Sequence, residues 1–95
     1  MKKEVAESEK YYVFYEDGRH GPGVDKRKGT GKVLTYLIKH AGTLISLEAI
    51  EEVSGWDNPN KKMSEFIQEI NAWSPYTIQK VGRGKESKYR LIKTE

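Results

Sequence analysis

The fold class this sequence predicts is α+β: a short N-terminal strand, three helices and a C-terminal β-hairpin. Three observations predict it. Residues 61–73 (KKMSEFIQEINAW) carry Met63, Phe66, Ile67, Ile70 and Trp73 at spacings of three, one, three and three, which places all five on one face of a 3.6-residue helix. Two shorter stretches with the same kind of periodicity precede it. After Ser74-Pro75 the period drops to two, and a glycine-rich tip interrupts it, as a hairpin requires.

The elements follow in order. Residues 1–9 are polar and charged and are expected to form a loose tail. Residues 11–15 (YYVFY) are five β-formers in a row and predict a strand. Residues 16–31 hold five glycines and one proline and are expected to be a loop containing Lys26, Arg27 and Lys28. Helix one is predicted over 30–41, with Val33, Leu34, Leu37, Ile38 and Ala41 as its apolar stripe and Gly42 as its stop. A short extended piece, 43–45, follows. Ser46 is placed to cap helix two, 47–54, which turns Leu47, Ile50 and Val53 inward and ends at Gly55. Trp56 is expected to fold back onto the core. Asn58 or Asn60 caps helix three, and Ser74-Pro75 stops it. The hairpin is predicted from 77–81 and 86–92, closed by Gly82-Arg83-Gly84-Lys85, with Tyr89 and Leu91 packing and Lys88 and Arg90 on the other face. One domain is expected over 10–95, its core over 30–92.

Composition narrows the function. Of the 95 residues 36% are hydrophobic, ten aromatics among them, which suits a folded domain better than a disordered tail. The absence of cysteine excludes a disulfide framework, a thiolate zinc site and a thiol nucleophile. No apolar run reaches membrane-spanning length, and MKKEVAESEK has no apolar core of a signal peptide. A cytoplasmic protein is therefore expected. The net charge of +3 is unevenly spread: residues 1–46 carry nine basic and six acidic side chains, 47–76 two and six, and 77–95 six and two. The positive charge sits in the hairpin and an N-terminal loop, and a basic surface suits a polyanion.

Helix, helix, ribbon in this order predicts a winged helix-turn-helix whose third helix is offered to a major groove. Residues 32–56 (KVLTYLIKHAGTLISLEAIEEVSGW) then resemble the first two helices of OmpR/PhoB-type output domains of bacterial response regulators. The resemblance is carried by Leu34, Leu37, Ile38, Gly42, Ser46, Ile50 and Trp56. Met63, Ile67 and Ile70 match the buried positions of that family's recognition helix, and Ile78, Val81, Tyr89, Arg90 and Leu91 its terminal hairpin. It spans residues 32–92 and implies the fold more than the function. It implies a small DNA-binding regulator of transcription, bacterial or phage. Departures are the lack of arginines on the exposed third helix, an N-terminal sheet reduced to one clear strand, a longer GRGKES tip and Lys88 where the family has glycine. No receiver domain is expected ahead of it.

Candidate duplex contacts fall in three groups. On the third helix, Gln68 and Asn71 have the amides that pair with adenine, while Lys61, Lys62 and Ser64 suit phosphate. Glu65 and Glu69 lie near Gln68 and would repel a phosphate-lined groove, so the same face also fits a solvated surface. On the hairpin, Lys80, Arg83, Lys85, Lys88 and Arg90 form a basic wing; the same lysines would keep an edge hairpin soluble. In the loop, Lys26, Arg27 and Lys28, with Lys32 at the start of helix one, could meet phosphate. Gly31-Lys32 is not a phosphate-binding loop, because Val33 stands where Ser or Thr is required. A second function class is a protein-interaction module whose acidic face, Glu48, Glu51, Glu52, Glu65 and Glu69, docks RNA polymerase or another regulator. His20 and His40 lie in no metal or catalytic spacing, so no enzyme, metal or cofactor is expected. A monomer or weak dimer is expected, since no dimer helix is evident.

Overall fold

Three helices and two three-stranded antiparallel sheets build the computed structural model, which describes residues 2–93. Their order is β1 (Lys3–Glu7), β2 (Tyr11–Glu16), β3 (Arg19–Asp25), α1 (Gly29–Lys39), β4 (Ile45–Ser46), α2 (Leu47–Ser54), α3 (Pro59–Trp73), β5 (Tyr76–Val81) and β6 (Lys88–Lys93). The first sheet runs β1-β2-β3 and the second β4-β6-β5.

The first sheet corrects two expectations. The stretch expected as a tail contains β1, which pairs with β2 through Val5↔Phe14 and Glu7↔Tyr12; Met1 lies outside the described residues. The stretch expected as a loop contains β3, paired with β2 through Tyr12↔Val24. The sheet turns Tyr12, Phe14 and Val24 into the core, and Val5 packs against them. Each outer strand therefore needs only one inward apolar residue to be held. Lys3 ties β1 to α3 by donating from Nζ to the Asn71 carbonyl at 3.3 Å, near the negative end of the α3 dipole.

The helices begin and end for local reasons. Lys28 caps α1 without a side-chain bond, and the helix stops at Lys39. Ala41, expected in its stripe, is thus an exposed residue of the following turn. Ser46 Oγ accepts from the Ala49 N–H at 3.2 Å, and Gly55 closes α2 in the left-handed conformation, φ 73°. α3 starts at Pro59, two residues before the stretch 61–73 read as helical from the sequence. Asn58 is its cap, accepting from the Lys61 N–H at 3.3 Å, with Pro59 in the first turn, where no backbone N–H is needed. At the other end Ser74 Oγ donates to the Ile70 carbonyl at 2.7 Å and accepts from the Tyr76 N–H at 3.1 Å.

One hydrophobic core joins these elements. Val33, Leu34 and Leu37 of α1, Ile50 of α2, and Met63, Phe66 and Ile70 of α3 meet Ile78, Tyr89 and Leu91 of the second sheet. Trp56 folds back against this cluster as expected, its ring 6.4 Å from that of Phe66. Close packing explains Gly31. A β-carbon there would lie 2.0 Å from the Asp25 carbonyl oxygen, so only glycine lets α1 start against β3.

Candidate nucleic-acid interface

The exposed stripe of α3 comes first. Met63, Phe66 and Ile70 are buried and Ile67 and Trp73 partly so, which leaves Lys61, Lys62, Ser64, Glu65, Gln68 and Glu69 exposed. Ser64 Oγ donates to the Asn60 carbonyl at 3.2 Å. Asn71 does not join this face as a free amide. It is half-buried; its Oδ1 accepts from the Ile78 N–H at 2.7 Å and its Nδ2 donates to the Ile78 carbonyl at 3.3 Å. Both polar atoms expected to meet a base are occupied by the edge of β5.

That bond orients the rest of the helix. At about 100° per residue, Ser64 and Gln68 lie within about 60° of Asn71 and so on the flank nearest the hairpin. Lys61 lies near the centre of the exposed arc. By the same count Glu65 and Glu69 stand about 120° and 160° around from Asn71, on the flank turned away from the hairpin. The two carboxylates are thereby separated from the amide-bearing flank, which the linear sequence does not reveal.

The hairpin positions its cations by register. Lys88 pairs with Val81 and Arg90 with Gln79, which puts both cations on the face opposite buried Ile78, Tyr89 and Leu91. Lys80 pairs with Tyr89 and falls on the other face, although it is exposed at the strand end. The tip is a single 3-10 turn, Gly84–Glu86, with Gly82 (φ 89°) and Gly84 (φ 54°) in the left-handed region on either side of Arg83. Glu86, expected in the second strand, belongs to this turn. Lys80, Arg83, Lys85 and Lys88 are exposed and form no ion pair within 4 Å among the described residues. Arg90 differs: its Nε and Nη2 donate to Gln79 Oε1 at 3.1 and 2.7 Å. That cross-strand bond holds the guanidinium on the sheet.

The basic loop divides in two. Lys26 is ion-paired with Glu7 and lies 4.6 Å from the centre of the Tyr12 ring. Arg27 forms a fork with Asp25, Nε to Oδ1 and Nη2 to Oδ2 both at 3.0 Å, and donates to the Tyr11 hydroxyl at 3.3 Å. The Arg27 guanidinium and backbone N–H together lower the Asp25 carboxyl to about 2. Neither cation is free in the way the sequence suggested. Lys28 and Lys32 are exposed and have no ion pair among the described residues.

On the acidic side, Glu48, Glu51, Glu52, Glu65 and Glu69 are all exposed and likewise without an ion pair among the described residues. His20 rests edge-on to Tyr15 at 5.3 Å and His40 lies 4.6 Å from the Tyr36 ring. No group of three potential metal ligands occurs among the described residues, and no helix there is long and apolar enough to cross a membrane. No protein-family model matches the chain, and comparison with curated proteins and with solved structures finds no match to either.

Proposed function

We propose that this chain is a winged helix-turn-helix protein that binds duplex DNA as a small bacterial or phage regulator of transcription. The element order supports the fold assignment. A helix, a short strand, two further helices and a hairpin follow one another, and the short strand β4 adds to the hairpin alongside β6. A three-stranded antiparallel sheet precedes α1, which also suits that reading.

The observation that carries the function is the set of unpaired cations. Lys80, Arg83, Lys85 and Lys88 on the hairpin, with Lys61 at the start of α3, remain available while the cations of the basic loop are partly neutralised; Lys62, about 180° around the helix from Asn71, lies on the acidic flank instead. Affinity would come mainly from the hairpin lying along phosphates, with Lys61, Ser64 and Gln68 of α3 turned to the groove. Lys28 and Lys32 would add backbone contacts. A salt series of binding to random-sequence duplex tests this. Log affinity should fall linearly with log salt, by about 0.9 per phosphate neutralised. A flat response would exclude it.

A second function is favoured by the far flank of α3. Glu65 and Glu69, with Glu48, Glu51 and Glu52 of α2, form an exposed acidic face that no cation of the described residues satisfies. Such a face suits a basic patch on RNA polymerase or another regulator. The two functions are compatible, because they use different flanks of α3.

A further inference from the structure

The first sheet ends in an open strand. β1 has β2 on one side and, among the described residues, no strand on the other. Its hydrogen bonding alternates along the chain. The Ser8 N–H donates to the Tyr11 carbonyl at 2.9 Å and the Asp17 N–H to the Lys2 carbonyl at 2.8 Å, at the two ends of an unbroken antiparallel register. Even-numbered residues of β1 therefore bond β2, and the N–H and C=O groups of Lys3, Val5 and Glu7 point away from it, out of the sheet edge. Such an edge is a template for another strand. The side chains of the same three residues lie on the inner face, since they pair with Glu16, Phe14 and Tyr12. Two of them are charged, with opposite sign, and Val5 stands midway between.

We infer that this edge pairs with the same edge of a second copy of the chain, antiparallel about a two-fold axis at Val5. In that register Val5 faces Val5 of the other copy and each Lys3 faces a Glu7. The outward backbone groups meet as well, because residues 3, 5 and 7 lie opposite 7, 5 and 3. Opposite charges directly across a ladder attract, and like charges repel. Parallel pairing in register would set Lys3 beside Lys3 and Glu7 beside Glu7. A slip of two residues would leave Lys3 or Glu7 of each copy without its counterpart. Charges on an edge strand ordinarily turn other strands away; here the order Lys-Glu-Val-Ala-Glu accepts its own reverse, with Glu4 opposite Ala6. The present partners leave room for this. Glu7, ion-paired with Lys26, keeps 60% of its side chain exposed, and Lys3 Nζ holds one carbonyl at 3.3 Å. The interface is short, so the dimer is weak and exchanges quickly. This inference does not rest on DNA binding, since Lys3, Val5 and Glu7 lie outside the proposed duplex contacts.

Sedimentation equilibrium of the whole chain, from about 20 µM to about 1 mM, tests it, since small interfaces dissociate in that range. The average mass of the wild type should climb from one chain toward two. Lys3→Glu puts a carboxylate at both ends of the edge, and Glu7→Lys an ammonium at both, so each variant alone should stay monomeric. An equimolar mixture of the two should associate, because each supplies the sign that the other lacks. Amide exchange gives a readout on the unaltered chain, which decides the matter if either variant misfolds. Exchange at Lys3, Val5 and Glu7 should slow roughly twofold where half the chains are paired, by mass action. Exchange at Glu4 and Ala6, already bonded to β2, should keep its rate. A wild type monomeric at about 1 mM overturns the inference. So does a single variant that dimerises as the wild type does, a mixture that gains nothing, or association without the alternation in exchange.

Discussion

The carboxamide of Asn71 acts as a strand of one residue against the open edge of β5, bonding both the N–H and the C=O of Ile78 at 2.7 and 3.3 Å. β5 has β6 on one side and, among the described residues, no strand on the other. Asn71 therefore fixes the angle between α3 and the hairpin and satisfies two backbone groups that would otherwise lie half-buried and unpaired.

Replacing Asn71 with alanine should cost about 1–3 kcal/mol, the usual penalty for leaving such groups without partners. Urea unfolding would measure the loss. Amide exchange at Ile78 should quicken while that at Ile70, inside α3, follows only the global change. Unchanged exchange at Ile78 would show that the amide bond contributes little.

Gly31 makes a sharper test of packing. Gly31→Ala would drive a β-carbon onto the backbone of Asp25 and Lys26 and should destabilise by about 3 kcal/mol or more. Gly23→Ala, whose β-carbon would sit 3.7 Å from the Tyr12 carbonyl, should change stability by less than about 0.5 kcal/mol. Thermal unfolding of the pair would show whether the contact at Gly31 is as tight as described.

These two residues mark where sequence reading fell short. Ser46 and Gly55 announce α2 by local chemistry, so its bounds are legible to the residue. The apolar stripes of α1 and α3 and the alternation in the hairpin are equally plain. β1 and β3 were not legible, because edge strands covered on one face need a single inward side chain each, Val5 and Val24, amid charges, glycines and a proline. Glycines in 16–31 read as breakers, yet Gly21 packs under the Trp73 ring and Gly31 against a backbone. Asn71 carried no local sign of its role, since its partner lies seven residues on, beyond Ser74-Pro75. The ion pairs of Lys26 and Arg27 were equally hidden. Glu7 is 19 residues away from Lys26, and the Asp25–Arg27 fork depends on the bend after β3.

The Asp25–Arg27 fork sets an acid dependence. A carboxyl lowered from 3.8 to about 2 contributes stability that is fully present above about pH 4 and is lost as pH falls through about 2. Asp25→Asn should therefore be less stable than wild type at neutral pH, with the gap closing across that window. Carbon-detected titration of the Asp25 carboxyl should give a midpoint near 2. A midpoint near 3.8 would show that the fork does not persist in solution.

Arg83→Ala with Lys85→Ala should weaken duplex binding equally for all sequences and reduce the salt slope by about 1.8, the share of two phosphates. Fluorescence anisotropy at several salt concentrations would measure both. Intact binding would remove the hairpin tip from the interface.

Charge reversal on the far flank of α3, Glu65→Lys with Glu69→Lys, separates the two proposed functions. If these carboxylates only repel phosphate, duplex affinity at low salt should rise roughly tenfold. If they capture a basic protein surface, that capture should disappear in a pull-down with the partner.

The most direct measurement is a titration of isotopically labelled protein with random-sequence duplex DNA at two salt concentrations, followed by amide shifts. If the chain binds duplex DNA, salt-sensitive shifts should appear at Arg83, Lys85 and Lys88 and along Lys61, Ser64 and Gln68, with Glu48, Glu51 and Glu52 unmoved. Spectra that stay silent at low salt would contradict it.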